Sequence, residues 1–170
     1  MSDAKDIKEE GLNLYRAGRY EEAAAKFAEA QALFATAGDQ KEVAECVNNR
    51  GVCWRQAAKW EEATAAFEEA RPLFQALQDV VGEGQVVGNL ATVVEAQGDK
   101  QHAAELYQEA IDLFTAAGAK DYAKDTYTAM SRMKLKQRDV AGAMTAFDAG
   151  LEQLDNPNLI EKMARKILRG

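Results

Sequence analysis

The chain has 170 residues, of which 47% are hydrophobic and 29% are charged, so it is long enough for one domain with a hydrophobic core. Its net charge of −7 argues against nucleic acid as the main partner. No apolar run approaches the roughly 20 residues that span a bilayer, and the charged first ten residues predict no secretory signal. We therefore expect a cytoplasmic protein with no membrane partner.

The charge is distributed unevenly along the chain. Residues 1–119 carry 11 Lys and Arg against 21 Asp and Glu, whereas residues 120–170 carry 10 against 7. The sequence therefore joins an acidic body to a weakly basic C-terminal part.

A repeat of 40 residues organises the sequence. Four segments, which begin at residues 17, 57, 97 and 137, align without gaps and place an alanine and an aromatic ring at helical spacing. The aligned residues are Ala23, Ala63, Ala103 and Ala143, and then Phe27, Phe67, Tyr107 and Phe147. A second amphipathic stretch precedes each segment, with Gly11, Gly51, Ala91 and Ser131 in register. Small residues let two helices approach closely while a ring fills the space between them.

The repeat predicts four helix–turn–helix units, at about 1–38, 39–78, 79–118 and 119–156. In chain order, the expected helices span 3–17, 20–36, 41–57, 60–77, 82–97, 100–117, 120–137 and 140–154. The segment "VVGEGQVVG", residues 80–88, lies at the entry to the third unit. Its three glycines weaken a helix start and predict a loose junction there.

A further helix is expected at about 157–168. Asn156 suits the N-cap and Pro157 the first helical position. An apolar stripe follows, and a helix of this kind can cap the end of a repeat stack. Alternatively, this basic amphipathic helix binds a membrane or a partner. The sequence leaves open whether it caps the stack or occupies a groove.

The repeats resemble the tetratricopeptide (TPR) family, whose pattern is W-x₂-L-G-x₂-Y followed by A-x₃-F. The second unit carries this pattern as Val47, Arg50, Gly51, Trp54, Ala63 and Phe67. The stretch "QDVVGEGQVVGNL" looks like the 40-residue variety found in spindle-orientation adaptors and kinesin light chains. The resemblance covers about residues 5–154. It implies an all-α, right-handed superhelical solenoid in a single domain.

Residues that carry catalysis or bind metals are sparse. Cys46 and Cys53 would lie roughly 10 Å apart on one helix, too far for a disulfide, and the chain has one histidine. No serine or cysteine has a histidine at a suitable spacing, and no glycine-rich stretch is followed by a phosphate-binding lysine. We expect buried thiols in a reducing compartment, with no metal, no cofactor and no enzyme activity.

The TPR resemblance implies that the first helix of each unit lines a concave groove, where a partner peptide lies. Carrying the family's groove positions onto this chain gives Lys8, Tyr15, Asn48, Asn49, Arg55, Asn89, Thr92, Arg132 and Lys136. Asparagine has both a donor and an acceptor, so it can hold a peptide backbone. Asn49 and Asn89 lie one period apart and would form a two-rung ladder, whereas Asn48 lies about 100° round the helix from Asn49. Alternatively, these asparagines cap or solvate helix starts.

Two charged arrangements also bear on the groove. The carboxylate clamp that some TPR proteins use would need cations at Gln85 and Asn89, so it is not expected here. Arg132 and Lys136 share one helical face and could meet an acidic patch on a partner or on another copy. The sequence thus predicts a non-catalytic scaffold or adaptor that binds a peptide, with self-assembly of copies as the alternative.

Overall fold

The computed structural model describes residues 2–154, together with Lys162 and Lys166. Eight α-helices fill the range 2–154, with no strand among the residues described. In chain order they are α1 Ser2–Arg16, α2 Tyr20–Ala37, α3 Gln40–Gln56, α4 Trp60–Ala76, α5 Val80–Gln97, α6 Lys100–Ala116, α7 Lys120–Lys136 and α8 Val140–Glu152. Each lies within two residues of its expected ends. The capping helix expected at 157–168 lies outside the described residues.

The helices stack in two layers. Each helix packs against the next one along the chain, and α3 also contacts α5. In the other layer, the Gln31 amide of α2 donates a hydrogen bond to Glu69 of α4 at 3.1 Å, and Arg71 of α4 pairs with Glu109 of α6. The odd-numbered helices therefore lie side by side on one face and the even-numbered helices on the other. This arrangement is an all-α superhelical solenoid.

Rings on the second helix of a pair lie on small residues of the first. A Cβ added to Gly51 would lie 2.6 Å from the Phe67 ring, and one added to Gly11 would lie 3.2 Å from the Phe27 ring. Both rings are buried. This confirms the packing predicted from the repeat for the first two units. Phe147 differs, because 36% of this residue is exposed, so the fourth unit does not bury its ring as the others do.

The loose junction predicted at residues 80–88 is wrong. α5 is helical from Val80, and the Asp79 carboxylate accepts a hydrogen bond from the Gly82 backbone N–H at 2.8 Å. Gly84 is buried where an added Cβ would lie 2.7 Å from the Phe114 ring. Gly82 meets the ring of Phe74 in the same way. These glycines are therefore contact positions for rings of α4 and α6, and the N-cap compensates for their low helix propensity.

A left-handed residue follows each of the first seven helices. The backbone has positive φ at residues 18, 38, 58, 78, 98, 118 and 138, which are 20 residues apart. Four of these residues are glycines, whereas Ala58, Gln78 and Arg138 hold φ values of 56°, 55° and 62°. A side chain in this region crowds the following carbonyl oxygen and costs about 1–2 kcal/mol. Three of the seven connections are therefore strained.

We expect Ala58→Gly, Gln78→Gly and Arg138→Gly each to raise the free energy of unfolding by about 0.5 kcal/mol, because relief of strain exceeds the entropy that glycine adds to the unfolded chain. Urea denaturation measures the change. Ala25→Gly, at an exposed position inside α2, is the control and should lower stability by about 1 kcal/mol. A loss of stability in all three turn variants would contradict the assignment of strain.

Candidate functional site

The face formed by α1, α3, α5 and α7 carries all nine residues that were predicted for the groove. Polar side chains bridge each neighbouring pair of these helices. Seven of the nine residues take part in such bridges or in hydrogen bonds within the face: Lys8, Tyr15, Asn48, Arg55, Asn89, Thr92 and Lys136. The face therefore joins the units to one another, and only part of its hydrogen-bonding capacity is left for a ligand.

Lys8 and Tyr15 hold α1 against α3. The Lys8 Nζ lies 2.5 Å from a carboxylate oxygen of Glu42 and 2.5 Å from one of Glu45. Burial acts to lower the pKa of Lys8, but the hydrogen bonds and charges of the two glutamates together outweigh it and raise that pKa. Further along the pair of helices, the Gln56 amide donates to the Tyr15 hydroxyl at 3.1 Å. Both predicted residues therefore serve the contact between the first two units.

Asn89 lies at the centre of the contact between α3 and α5. The Arg55 Nη1 donates to the Asn89 Oδ1 at 3.1 Å, and the Asn89 Nδ2 donates to the Asn48 Oδ1 at 3.4 Å. The three half-buried side chains thus form one hydrogen-bonded row across two helices. Burial lowers the pKa of the Arg55 guanidinium, because the charged form loses water.

Asn48 and Asn49 occupy different places. Asn49 lines a second cavity of about 290 Å³ beside Glu45 and the start of α5; Asn48 lines this cavity too, whereas Asn89 does not. Of the two asparagines, Asn48 is the one that contacts Asn89 directly, and the ladder of Asn49 and Asn89 along a bound peptide stays a prediction. Equivalent side chains of successive units point in the same direction. A side chain of one unit therefore contacts a non-equivalent residue of the next unit.

Three of the bridging pairs between odd-numbered helices have the same separation in sequence. Asn48 contacts Asn89, the residue 41 positions further on. Two other pairs have the same separation: Tyr15 with Gln56, and Glu95 with Lys136. Units of 40 residues therefore meet at these three pairs one position beyond the repeat, whereas Lys8 with Glu42 and Arg55 with Asn89 are 34 residues apart.

A second row of polar groups joins α5 to α6 and α7. The Lys136 Nζ lies 2.8 Å from Glu95, which also accepts a hydrogen bond from the Tyr107 hydroxyl at 3.0 Å. The Thr92 hydroxyl donates to the Gly88 carbonyl at 3.1 Å and lies 3.4 Å from the Tyr107 hydroxyl. Burial, assisted by the charge of Glu95, raises the pKa of Tyr107 to about 12. Tyr107 is therefore a neutral hydroxyl at neutral pH.

Arg132 and Lys136, the two basic residues predicted to share a face of α7, differ in their contacts. Lys136 is engaged by Glu95, although its side chain remains 73% exposed. Arg132 is exposed and makes no ion pair within the part of the chain that the structure describes. Only Arg132 of this pair therefore keeps its charge free of a carboxylate among these residues.

A cavity of about 490 Å³ lies between α3, α5 and α7. Four of the predicted residues line it: Asn48, Arg55, Asn89 and Thr92. The remaining lining residues are Gly84, Gln85, Gly88, Tyr107, Phe114, Tyr122, Asp125, Thr126 and Ala129. The cavity thus combines amides and a guanidinium on one side with aromatic rings on the other. We name it the central cavity.

Two aromatic rings of the central cavity were missed from the sequence. The rings of Phe114 and Tyr122 stack with centroids 5.2 Å apart and planes at 20°. Phe114 is buried, whereas 46% of Tyr122 is exposed. Phe114 recurs with Phe34 and Phe74 at the 40-residue period, and this register was the signal that could have identified it. Tyr122 has no aromatic equivalent in the other units, so the repeat carries no signal for it.

The described residues were also compared with the requirements of metal sites and membrane spans. Among them, no three His, Cys, Asp or Glu side chains are grouped so as to hold a metal ion. None of the eight helices is long and apolar enough to cross a bilayer.

Comparison with solved structures identifies similar folds at low sequence identity. BtubC (BKLC) from P. vanneervenii has a TM-score of 0.74 at 20% identity, over 91% of this chain and 67% of that chain. Aspartyl phosphate phosphatase F from Bacillus subtilis has a TM-score of 0.85 at 13% identity, over 99% of this chain and 44% of that chain. A putative kinesin light chain with TPR-like repeats from Podospora anserina has a TM-score of 0.72 at 12% identity, over 98% and 85%. These likenesses show the fold alone.

Comparison with protein families gives a match along almost the whole chain. No curated protein matches the sequence. The model of the family described as soluble NSF attachment protein, SNAP, matches residues 1–168. Together with the kinesin light chain likeness, this match confirms repeats of the TPR type. The chain therefore belongs to the soluble NSF attachment protein family.

Proposed function

We propose that this chain is a non-catalytic interaction scaffold that binds an extended peptide segment of a partner protein on the face of its odd-numbered helices. The observation that carries the proposal is the central cavity, which places amide groups beside an aromatic pair. Its volume of about 490 Å³ falls in the range of ligand sites. A solenoid whose units are already bridged also reduces the ordering that binding would otherwise require on the protein side.

The amides of the central cavity suit a peptide backbone. Asn89 uses one amide hydrogen for Asn48 and its oxygen for Arg55, so its second amide hydrogen is available. Gly88, beside it, is not required by packing, because an added Cβ would meet only Ala110 at an ordinary 3.7 Å. The missing side chain therefore leaves room for a ligand backbone next to Asn89.

The proposal is tested with a displayed library of random 12-residue peptides. We expect selection against the chain to yield binders whose Kd rises at least fivefold for Asn89→Ala, the effect of losing about 1 kcal/mol of hydrogen bonding. Gln108→Ala is the control, because it removes an exposed amide from the outer side of α6. Circular dichroism melts establish that both variants fold.

Two results would count against peptide binding at the central cavity. One is the failure of the library to yield any binder. The other is a set of binders that tolerate Asn89→Ala as well as Gln108→Ala. A parallel Asn49→Ala variant reports on the neighbouring cavity of about 290 Å³. A loss of peptide affinity in that variant alone would indicate that the peptide binds in that cavity instead.

We place this scaffold in the cytoplasm. The support is that both cysteines of the chain are free and buried, a pattern typical of proteins in a reducing compartment.

Self-association is the second candidate function, and one surface favours it. Val140, Met144 and Phe147 lie at helical spacing on one side of α8 and are 56%, 46% and 36% exposed. The acidic body and the basic C-terminal part would attract each other in a head-to-tail contact. Light scattering in low and high salt decides between the candidates. A molar mass that falls with added salt supports self-association, and a monomer at every salt concentration excludes it.

A further inference from the structure

Arg55 differs from the other half-buried arginines of the described chain. Arg50 pairs with Glu69 at 2.5 Å, and Arg71 pairs with Glu83 at 3.1 Å. Arg55 makes no ion pair among the described residues, and its single side-chain hydrogen bond there goes to the neutral amide of Asn89. A guanidinium has five N–H donors, so most donors of Arg55 have no partner among the described residues. Burial of a cation without an anion is unfavourable, which makes this arrangement costly for the fold alone.

Among the residues that the structure describes, no carboxylate is positioned to neutralise Arg55. Glu95 is the equivalent residue one unit further along, and it is already engaged by Lys136 and Tyr107. Asp125 lines the central cavity from α7 but makes no ion pair with Arg55. Arg55 therefore faces the central cavity as a cation with no counterion in the described part of the chain.

The remainder of the central cavity is suited to an apolar side chain. The stacked rings of Phe114 and Tyr122 form one wall, and Ala129 lies beside them. Gly84 and Gly88 on α5 add no side chains between these rings and Arg55. Asp125 and Thr126, at the α7 side, can accept hydrogen bonds from backbone N–H groups of a ligand.

We propose that the central cavity recognises a peptide that places an Asp or Glu carboxylate on Arg55 and an adjacent apolar side chain against the Phe114–Tyr122 pair. A guanidinium binds a carboxylate through two parallel N–H···O bonds, which fixes the ligand's orientation as well as its charge. The site differs from the carboxylate clamp, because Arg55 is not one of the clamp positions. This inference rests on the proposed function, and it specifies the sequence class of the ligand.

The test uses binders that come from the random-peptide library and depend on Asn89. We expect these peptides to share one acidic position beside an apolar one. Replacing that acid by its amide should raise Kd at least tenfold for the unmodified chain and less than twofold for Arg55→Gln. Arg55→Lys should restore part of the preference for the acid, since it restores the charge without the two-pronged geometry. Arg16→Gln, which removes an exposed charge from α1, should behave like the unmodified chain.

The outcomes separate this inference from the proposed function. Two outcomes would overturn the inference and leave the proposed function standing. One is a set of Asn89-dependent peptides with no acidic position. The other is an equal loss of affinity for the amide-substituted peptide in the unmodified chain and in Arg55→Gln. The absence of any Asn89-dependent peptide would overturn both. Circular dichroism melts of Arg55→Gln, together with its binding of the amide-substituted peptides, establish that this variant is folded and competent.

Discussion

Gly51→Ala is expected to lower the free energy of unfolding by up to about 2 kcal/mol, although alanine is the better helix former. The added Cβ would lie 2.6 Å from Cε1 and 2.8 Å from Cδ1 of Phe67. Phe67 is fully buried among Ala63, Ala70 and their neighbours, so its ring cannot move aside without disturbing the core. Overpacking of this kind costs more than the roughly 1 kcal/mol that helix propensity returns. Urea denaturation with a constant m-value measures the loss.

Gly88→Ala is the matched control for Gly51→Ala. Both glycines lie inside helices of the same layer, but at Gly88 the nearest heavy atom to an added Cβ is 3.7 Å away. This control should therefore gain up to about 1 kcal/mol of stability. Phe67→Leu should reduce the penalty of Gly51→Ala in the double variant, because a smaller side chain removes the overlap. A gain in stability from Gly51→Ala itself would contradict the packing described for the repeat.

The chain is expected to lose about 3 kcal/mol of stability between pH 8 and pH 10, because two buried thiols resist ionisation. Burial raises the pKa of Cys46 to about 11 and that of Cys53 to about 12, from an ordinary value of 9.0. Above pH 9 the unfolded chain therefore releases thiol protons that the folded chain keeps. Stability then falls by about 1.4 kcal/mol per pH unit for each thiol.

Denaturant melts across this pH range measure the slope. The raised pKa values of Lys8 and Tyr107 act in the same direction, but only once the unfolded groups titrate near pH 10, so the range from 9 to 10 reports the thiols. The double variant Cys46→Ala with Cys53→Ala should start from a lower stability and show a nearly flat profile to pH 10. An unmodified chain with an equally flat profile would show that these thiols titrate normally.

The sequence was sufficient to predict the helices, because a 40-residue period and helical spacing are local signals that all four units repeat. The glycine-rich entry to α5 was misjudged, since propensity alone takes no account of the rings that occupy the missing side-chain positions. Phe74 and Phe114 come from helices on either side of α5, so their contacts with Gly82 and Gly84 appear only after folding.

The candidate site was predicted less completely than the fold. The repeat register indicated which residues lie on the odd-numbered helices, but it favoured Asn49 over Asn48 as the residue that acts together with Asn89. It did not indicate which side chains meet, because Asn48 contacts Asn89 at a separation of 41 residues rather than 40. That offset depends on how far one helix is rotated and shifted against the next, which tertiary packing decides. Tyr122 was missed because no other unit has an aromatic residue at the equivalent position.

Binding of an extended peptide at the central cavity is tested most directly by amide chemical shifts of the isotope-labelled chain, titrated with a selected peptide. The largest shifts are expected at Arg55, Gly88 and Asn89, and in the segment of α7 that contains Tyr122. The outward face of α8 and the exposed side of α6 should change little. Shifts concentrated on those two surfaces, with the central cavity unaffected, would contradict peptide binding there.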